Sequence, residues 1–217
     1  MTDTLLNFED PATVGAAMPT FLIIADSMAR GEDASGSAQI SAAQIYGAYA
    51  GAFVTEQKRQ KTLGNKAFYY AQSGSCKLDK KWCDIRTLDN EAFRAFAETL
   101  DKDDIELSYA YASAWLSYIQ SHSDDWMAIG NLSKAKLLLD VVAKYDENYD
   151  NAGVHLYLAA IATTLPPALG GKPEVGQKHF LRGIELTQGR HLLMKVEYAR
   201  RYGRLMFEQE LHHQLLT

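Results

Sequence analysis

Proline is scarce in this sequence, and its few copies lie near the two ends. Only five prolines occur, and none lies between residues 20 and 165. Because a proline inside a helix costs about 3 kcal/mol, the long proline-free stretch predicts mostly helix. Asn-Gly and Asp-Gly are both missing from the chain, and these dipeptides favour the tight turns of β-hairpins. The sequence therefore predicts an all-α protein.

The chain also lacks an excess of basic residues. It has 22 Lys and Arg against 27 Asp and Glu, a net charge of −5, which argues against a nucleic-acid binder because such proteins need clustered positive charge. No apolar run approaches the roughly 18 residues that span a bilayer. The opening Met1–Leu6 has neither a basic segment nor an apolar one, so it does not read as a signal peptide as it stands. We expect a single domain over residues 1–217.

Cysteine occurs only twice, as Cys76 and Cys83. The surrounding stretch 73–83 is predicted to be a loop between helices, and it contains no histidine, which argues against a zinc site. In a reducing compartment the two residues would be ordinary thiols. In an oxidising compartment they could form a disulfide that closes a small loop, worth about 2.5 kcal/mol by loop entropy. The spacing leaves both alternatives open.

Apolar residues recur at helical spacing along most of the chain. The pattern over 11–30 predicts a helix that Pro19 kinks or breaks in two near Met18, and the pattern over 192–215 predicts one long final helix. The helix over 38–53 is crowded with small residues, which allow neighbouring helices to approach closely. Two triplets resemble the second helix of a tetratricopeptide hairpin, which suggests diverged repeats of that kind. They are Ala135, Leu139, Val142 and Gly176, Phe180, Gly183.

Motifs for catalysis or cofactor binding are not found. Gly171–Gly176 begins like a phosphate-binding loop, but the required lysine and hydroxyl residue do not follow it. The six histidines include no pair spaced i, i+4, and Asp124 and Asp125 are explained by helix capping. We therefore expect no catalytic residue, no metal ligand and no cofactor.

Aromatic side chains are the remaining candidates for binding a ligand or a partner. One interpretation is that they fill the core between helices, and this is the more common role of such residues. The other is that some of them line a cleft or channel for an apolar ligand or a partner protein. The candidates are Tyr46, Tyr49, Phe53, Trp115, Tyr118 and Tyr157.

Several blocks of the sequence, in order along the chain, resemble the TatT family, the periplasmic component associated with some TRAP transporters. The similarity covers nearly the whole chain, and several blocks in order are far more specific than one alone. The blocks are Asp10-Pro11 followed by Ala17-Met18-Pro19, Tyr49-Ala50-Gly51-Ala52-Phe53, Ser123-Asp124-Asp125-Trp126, Leu165–Pro173 and Lys195–Arg200.

The resemblance implies an all-α fold of degenerate tetratricopeptide repeats in a non-enzymatic periplasmic protein. It implies pairing with the solute-receptor protein of a TRAP transporter, a homo-trimer, and a channel for a hydrophobic small molecule. Family members are often lipid-anchored, and an anchor here would require a segment that this sequence does not contain. The alternative is a general helical-repeat scaffold for protein interactions without a transport role, the resemblance reflecting fold alone.

Overall fold

The computed structural model describes residues 10–216, and this range contains eleven α-helices and no strand. The all-α prediction is confirmed. In chain order the helices are α1 (Pro11–Ala29), α2 (Gly36–Phe53), α3 (Gln57–Leu78), α4 (Asn90–Glu98), α5 (Ile105–Ser121), α6 (Trp126–Ile129), α7 (Leu132–Tyr145), α8 (Tyr149–Ala162), α9 (Pro173–Leu186), α10 (Leu192–Glu197) and α11 (Gln209–Leu216).

Three helix boundaries differ from the sequence-based expectation. Helix α1 runs unbroken through Pro19, so of the two predicted alternatives the break into two helices is wrong, and the kink stays a prediction. Helix α3 extends to Leu78 and includes Cys76, so the connection to the next helix begins later than predicted. The predicted final helix is interrupted, because α10 passes into a π-helical turn over Tyr198–Gly203 and the chain then turns at Phe207, where φ is +59°.

The chain divides into two compact units. The N-terminal unit comprises the chain up to Ala95 together with Ala110–Ala135, and the C-terminal unit comprises Phe96–Tyr109 together with Lys136–Thr217. Each unit has its own cluster of buried side chains. The expectation of a single domain stays a prediction.

In the N-terminal unit, α2 and α3 pack closely because glycine occupies the contact on both sides. A β-carbon placed on Gly36 would lie 2.8 Å from the carbonyl oxygen of Gly74, and one placed on Gly74 would lie 2.9 Å from the carbonyl oxygen of Gly36. Real β-carbons do not approach backbone oxygens this closely. The small residues of α2 therefore allow the close helix packing that the sequence predicts, with the contact at its first turn.

Helix α1 presents one face to the core of the N-terminal unit and leaves the other exposed. Val14, Met18 and Leu22 are buried there, whereas Ile23 is 71% exposed. By length and composition its segment Ala12–Ala29 could cross a membrane, although core helices and signal sequences pass the same test. The segment reaches this length only by its average hydropathy, because Thr13, Thr20, Asp26 and Ser27 interrupt its apolar residues.

The C-terminal unit is built on the pairing of α8 with α9. Gly176 faces α8, where an added β-carbon would meet Thr163 at 2.6 Å, and Phe180 is fully buried in a cluster with Met194 and Tyr198. The small–large–small triplet on α9 thus packs as a helical hairpin requires. The assignment of the hairpin to a tetratricopeptide repeat stays a prediction.

Candidate functional site

The candidate Tyr46 belongs to a buried polar cluster around the carboxylate of Asp26, which we call the Asp26 cluster. Asp26 lies on α1 and accepts hydrogen bonds from the hydroxyls of Tyr46 at 3.2 Å and Tyr70 at 2.6 Å. Lys66 of α3 and Arg30, just beyond α1, form ion pairs with the same carboxylate. The lysine ammonium also lies 5.2 Å from the centre of the Tyr46 ring, within the range of a cation–π contact.

The charge balance of the Asp26 cluster keeps its carboxylate ionised. Burial alone raises the pKa of Asp26, but hydrogen bonds from Lys66, Tyr70 and Arg30 outweigh it and hold that pKa well below its ordinary value. Burial and the neighbouring carboxylate raise the pKa of Tyr70 above its ordinary value, so this tyrosine stays a hydrogen-bond donor. The arrangement fixes α1 to α2 and α3 and offers no acid or base that titrates near neutral pH.

The other two candidates of α2 lie one turn apart, at the end of the helix. Tyr49 is 4% exposed, and its hydroxyl accepts a hydrogen bond of 3.0 Å from Arg59. Its ring stacks on Phe53 with the ring centres 5.9 Å apart, and Phe53 is 39% exposed. Tyr49 is therefore a core residue with a polar edge, while Phe53 presents an aromatic surface to solvent.

Trp115 and Tyr118 of α5 lie in a second aromatic cluster of the N-terminal unit, centred on Phe68. Trp115 is fully buried and stacks on Phe68 at 5.3 Å, whereas Tyr118 is half-buried at 5.4 Å from the same ring. The guanidinium of Arg86 lies 5.2 Å from the Phe68 ring and 5.3 Å from the Tyr118 ring. Packing accounts for Trp115, and Tyr118 is the edge of this cluster that reaches solvent.

Tyr157, the last candidate, lies in the C-terminal unit among tyrosines. Its ring and that of Tyr149 both pack edge-on against Tyr109, with centres 5.7 and 5.1 Å away. The Tyr109 hydroxyl donates a hydrogen bond of 2.5 Å to Asp150. Burial, followed by the charge of Asp150, raises the pKa of Tyr157 to about 12, so these hydroxyls remain neutral donors.

Asp150 begins a strained stretch of backbone. It is the first of three consecutive residues with positive φ, followed by Asn151 and Ala152, at 51°, 55° and 59°. This conformation costs roughly 1–2 kcal/mol per non-glycine residue. The Tyr109 hydrogen bond and a 3.1 Å contact between His191 Nδ1 and the Asn151 carbonyl hold it in place.

A histidine pair lies in the same unit, outside the predicted candidates. His155 and His179 approach with their Nδ1 atoms 3.0 Å apart, and His155 Nε2 lies 3.5 Å from Glu147, which also binds Arg182. Burial, followed by the charges of His155 and Lys136, lowers the pKa of His179 to about 4. Burial also lowers the pKa of His155, although Glu147 opposes this effect. Both rings are therefore neutral at pH 7.

The structure joins Cys76 and Cys83 in a disulfide. The bond links the last turn of α3 to the connection after it. Its formation in an oxidising compartment stays a prediction, since the sequence spacing alone is compatible with free thiols. Among residues 10–216, no group of three His, Cys, Asp or Glu side chains is arranged to hold a metal ion.

Sequence inspection missed the Asp26 cluster, although one signal was present. Asp26 is a charged residue in an otherwise apolar helix, and a charge on such a helix needs a partner when it is buried. The partners Tyr46, Lys66 and Tyr70 are 20, 40 and 44 residues away along the chain. No local spacing rule connects residues at such separations.

The described residues thus form an all-α fold whose helices are joined by aromatic and polar clusters. A family model described as TRAP transporter T-component, TAtT, matches residues 7–217, essentially the whole chain. The chain therefore belongs to this family, and the resemblance found in the sequence is confirmed. None of the curated proteins matches it.

Proposed function

We propose that the chain is a non-enzymatic periplasmic accessory of a TRAP-type transport system that binds the solute-receptor protein. The observation that carries this proposal is the family match over residues 7–217. A transport component without a reaction of its own acts through contacts with other proteins or with the transported compound. A homo-trimer and a lipid anchor are further parts of the proposal, and both rest on the family resemblance.

The aromatic candidates differ in how they could serve this function. Phe53 and Tyr118 reach the surface, so they can contact a partner or a hydrophobic ligand directly. Tyr46, Tyr49 and Trp115 are buried, and packing is the competing account for them. We therefore propose the exposed end of α2, with Phe53 as its aromatic residue, as the part that contacts the receptor. Aromatic side chains often carry much of the binding energy at protein interfaces.

A direct binding experiment tests the proposal. The chain and the solute-receptor protein of a TRAP transporter from the same source are purified, and their affinity is measured by analytical ultracentrifugation. We expect Phe53→Ala to weaken binding about tenfold, the loss of one moderate interface anchor. Phe207→Ala is the matched control, because Phe207 is 89% exposed and is not a candidate. Absence of binding by the unaltered pair would contradict the receptor role.

The general scaffold without a transport role remains the alternative. It predicts affinity for helical or extended peptides from many sources and none for the solute receptor. The same measurement separates the two, because only a transport accessory gains a defined stoichiometry with that receptor.

A further inference from the structure

A groove of about 310 Å³ opens in the N-terminal unit where α1 ends. It lies beside the Asp26 cluster and is separate from the predicted aromatic candidates, none of which lines it. Its size suits a ligand of about ten non-hydrogen atoms, at ~30 Å³ for each water-sized group. The side chains that line it include Arg30, Glu32, Gln39, Tyr69, Tyr70 and Lys77.

The charged groups around the groove favour an anion. Arg30 and Lys77 contribute two positive charges, and Glu32 contributes one negative charge. Arg30 binds Asp26 through one terminal nitrogen and keeps 72% of its side chain exposed. The Lys77 ammonium donates to the carbonyls of Glu32 and Ala34 at 2.8 and 2.7 Å, which uses two of its three N–H groups. Both cations thus have donors left for a carboxylate.

The floor of the groove supplies a hydrogen-bond acceptor. Gln39 is 3% exposed, and its amide nitrogen donates to the Ala29 carbonyl at 3.2 Å. Within residues 10–216, no protein donor reaches the amide oxygen of Gln39. A buried acceptor without a donor is unfavourable, and the bond to Ala29 prevents relief by exchanging the nitrogen and oxygen positions. If the amide rotates toward the groove, it exchanges its bond to the Ala29 carbonyl for bonds to a ligand, and a ligand donor then satisfies the oxygen.

An apolar wall completes the arrangement. Tyr69 is 62% exposed, and its ring packs against Tyr70 with the centres 5.5 Å apart. A tyrosine face of this kind suits a flat or apolar group of a ligand. The Tyr70 hydroxyl donates a hydrogen bond of 2.6 Å to Asp26, which fixes the ring against which Tyr69 packs.

We propose that this groove binds a small carboxylate that carries a hydroxyl or ammonium donor beside the carboxylate and an apolar tail. Arg30 and Lys77 bind the carboxylate, the amide oxygen of Gln39 accepts the donor, and Tyr69 contacts the tail. An ammonium donor would also be attracted by Glu32. The proposal does not depend on the receptor-binding role, since it rests on the groove alone.

Isothermal titration calorimetry with matched probes tests the proposal. Phenyllactate has the carboxylate, the hydroxyl and the ring; phenylpropionate lacks the hydroxyl; phenyllactamide lacks the charge. We expect phenyllactate to bind in the millimolar range or tighter, and each of the other two about tenfold more weakly. Phenylalanine, tested in parallel, shows whether an ammonium is preferred to a hydroxyl. Equal heats for the three matched probes, or no heat with any of the four, would overturn the proposal.

Two variants place the binding in the groove. Arg30→Gln and Gln39→Met should each weaken binding of the preferred probe about tenfold, with Gln39→Met removing the advantage of the donor. Arg94→Gln is the control for loss of one exposed positive charge, because Arg94 is exposed and does not line the groove. Circular dichroism verifies folding, and Arg30→Gln decides the outcome if Gln39→Met fails to fold. Unchanged affinity in Arg30→Gln would show that the probe binds elsewhere.

Discussion

Asp26 and Asp150 each accept a short hydrogen bond from a tyrosine hydroxyl, one in each compact unit, but their surroundings differ. Asp26 is 8% exposed and has two cations and two tyrosines as partners. Asp150 is exposed, and its hydrogen bond from Tyr109 holds a strained backbone stretch. The same contact thus ties three helices together in one unit and fixes a local conformation in the other.

The difference follows from the cost of burying charge. A buried carboxylate is stable only when partners replace its lost hydration, which Lys66 and Arg30 do for Asp26. An exposed carboxylate keeps water as an alternative partner, so its hydrogen bond contributes less to global stability. The N-terminal unit should therefore depend strongly on its carboxylate, and the C-terminal unit only weakly.

Replacing each aspartate by asparagine should give the largest effect and tests this contrast directly. Asp26→Asn leaves Lys66 and Arg30 without their counter-charge, and we expect a loss of about 2–3 kcal/mol. This is below the 3–5 kcal/mol of a fully buried pair because both cations reach solvent. Asp150→Asn should cost less than about 1 kcal/mol, since the amide oxygen still accepts from Tyr109. Urea unfolding combined with hydrogen exchange assigns each loss to its unit.

The same pair of variants has a defined pH dependence. Because the folded pKa of Asp26 lies below its ordinary value of 3.8, its contribution is fully present above that value and declines as the pH falls below it. The difference between the unaltered chain and Asp26→Asn should thus be full at pH 7 and shrink below about pH 4. Similar losses for both aspartates at pH 7 would contradict the contrast.

The histidine pair should make the C-terminal unit sensitive at a higher pH. The folded pKa of His179 is about 4 against an ordinary 6.5, so the unfolded chain takes up the proton first. The contribution of the neutral ring is full above pH 6.5 and is lost as the pH falls toward 4. Allowing for its partial exposure, we expect a loss of about 1–2 kcal/mol between pH 7 and 5.

His179→Gln should remove the His179 share of this pH dependence, and the remainder then belongs to His155, whose pKa burial also lowers; Lys136, Glu147 and Arg182 are left in place. His122→Gln in the N-terminal unit is the matched control and should leave it unchanged. Hydrogen exchange at pH 7 and pH 5 distinguishes the units, because only amides of the C-terminal unit should lose protection. Equal loss of protection in both units would assign the effect to general charge repulsion.

The helices were predictable from the sequence because they depend on local spacing. Helix α5 follows the stripe Ile105, Tyr109, Ala112, and its capping by neighbouring acidic residues is equally local. The predicted helix boundaries were wrong where two local patterns compete. The helical period of apolar residues continues through 198–206, so the sequence does not indicate the turn at Phe207. The Ser and Gly residues before Cys76 are typical of a loop, although they lie in α3.

The sequence predicted which types of residue form the candidate sites, but not where those residues lie in the fold. Aromatic residues pointed to Tyr46 and Tyr157, but their burial and partners depend on contacts between distant helices. The groove beside Arg30 could not be inferred, because Gln39 and Lys77 come from different helices and carry no motif. Polar residues of this kind gain a common role only when packing brings them together.

Removing a single hydroxyl should give the smallest effect and tests the local role of Asp150. In Tyr109→Phe the ring contacts with Tyr149 and Tyr157 remain, while the hydrogen bond to Asp150 is lost. We expect a stability loss of about 1 kcal/mol, because Asp150 can bind water instead. Amides of residues 150–152 should exchange faster, since the strained stretch loses its anchor.

Tyr145→Phe is the control for this variant, because Tyr145 is 42% exposed and its hydroxyl accepts a hydrogen bond from the adjacent Lys144. It should change neither stability nor exchange. If Tyr109→Phe loses stability throughout the C-terminal unit without faster local exchange, the hydroxyl supports the fold as a whole. Asp26 and Asp150 would then differ only in how much they stabilise their units. Faster exchange confined to 150–152 would instead show that Asp26 joins helices whereas Asp150 holds a single turn.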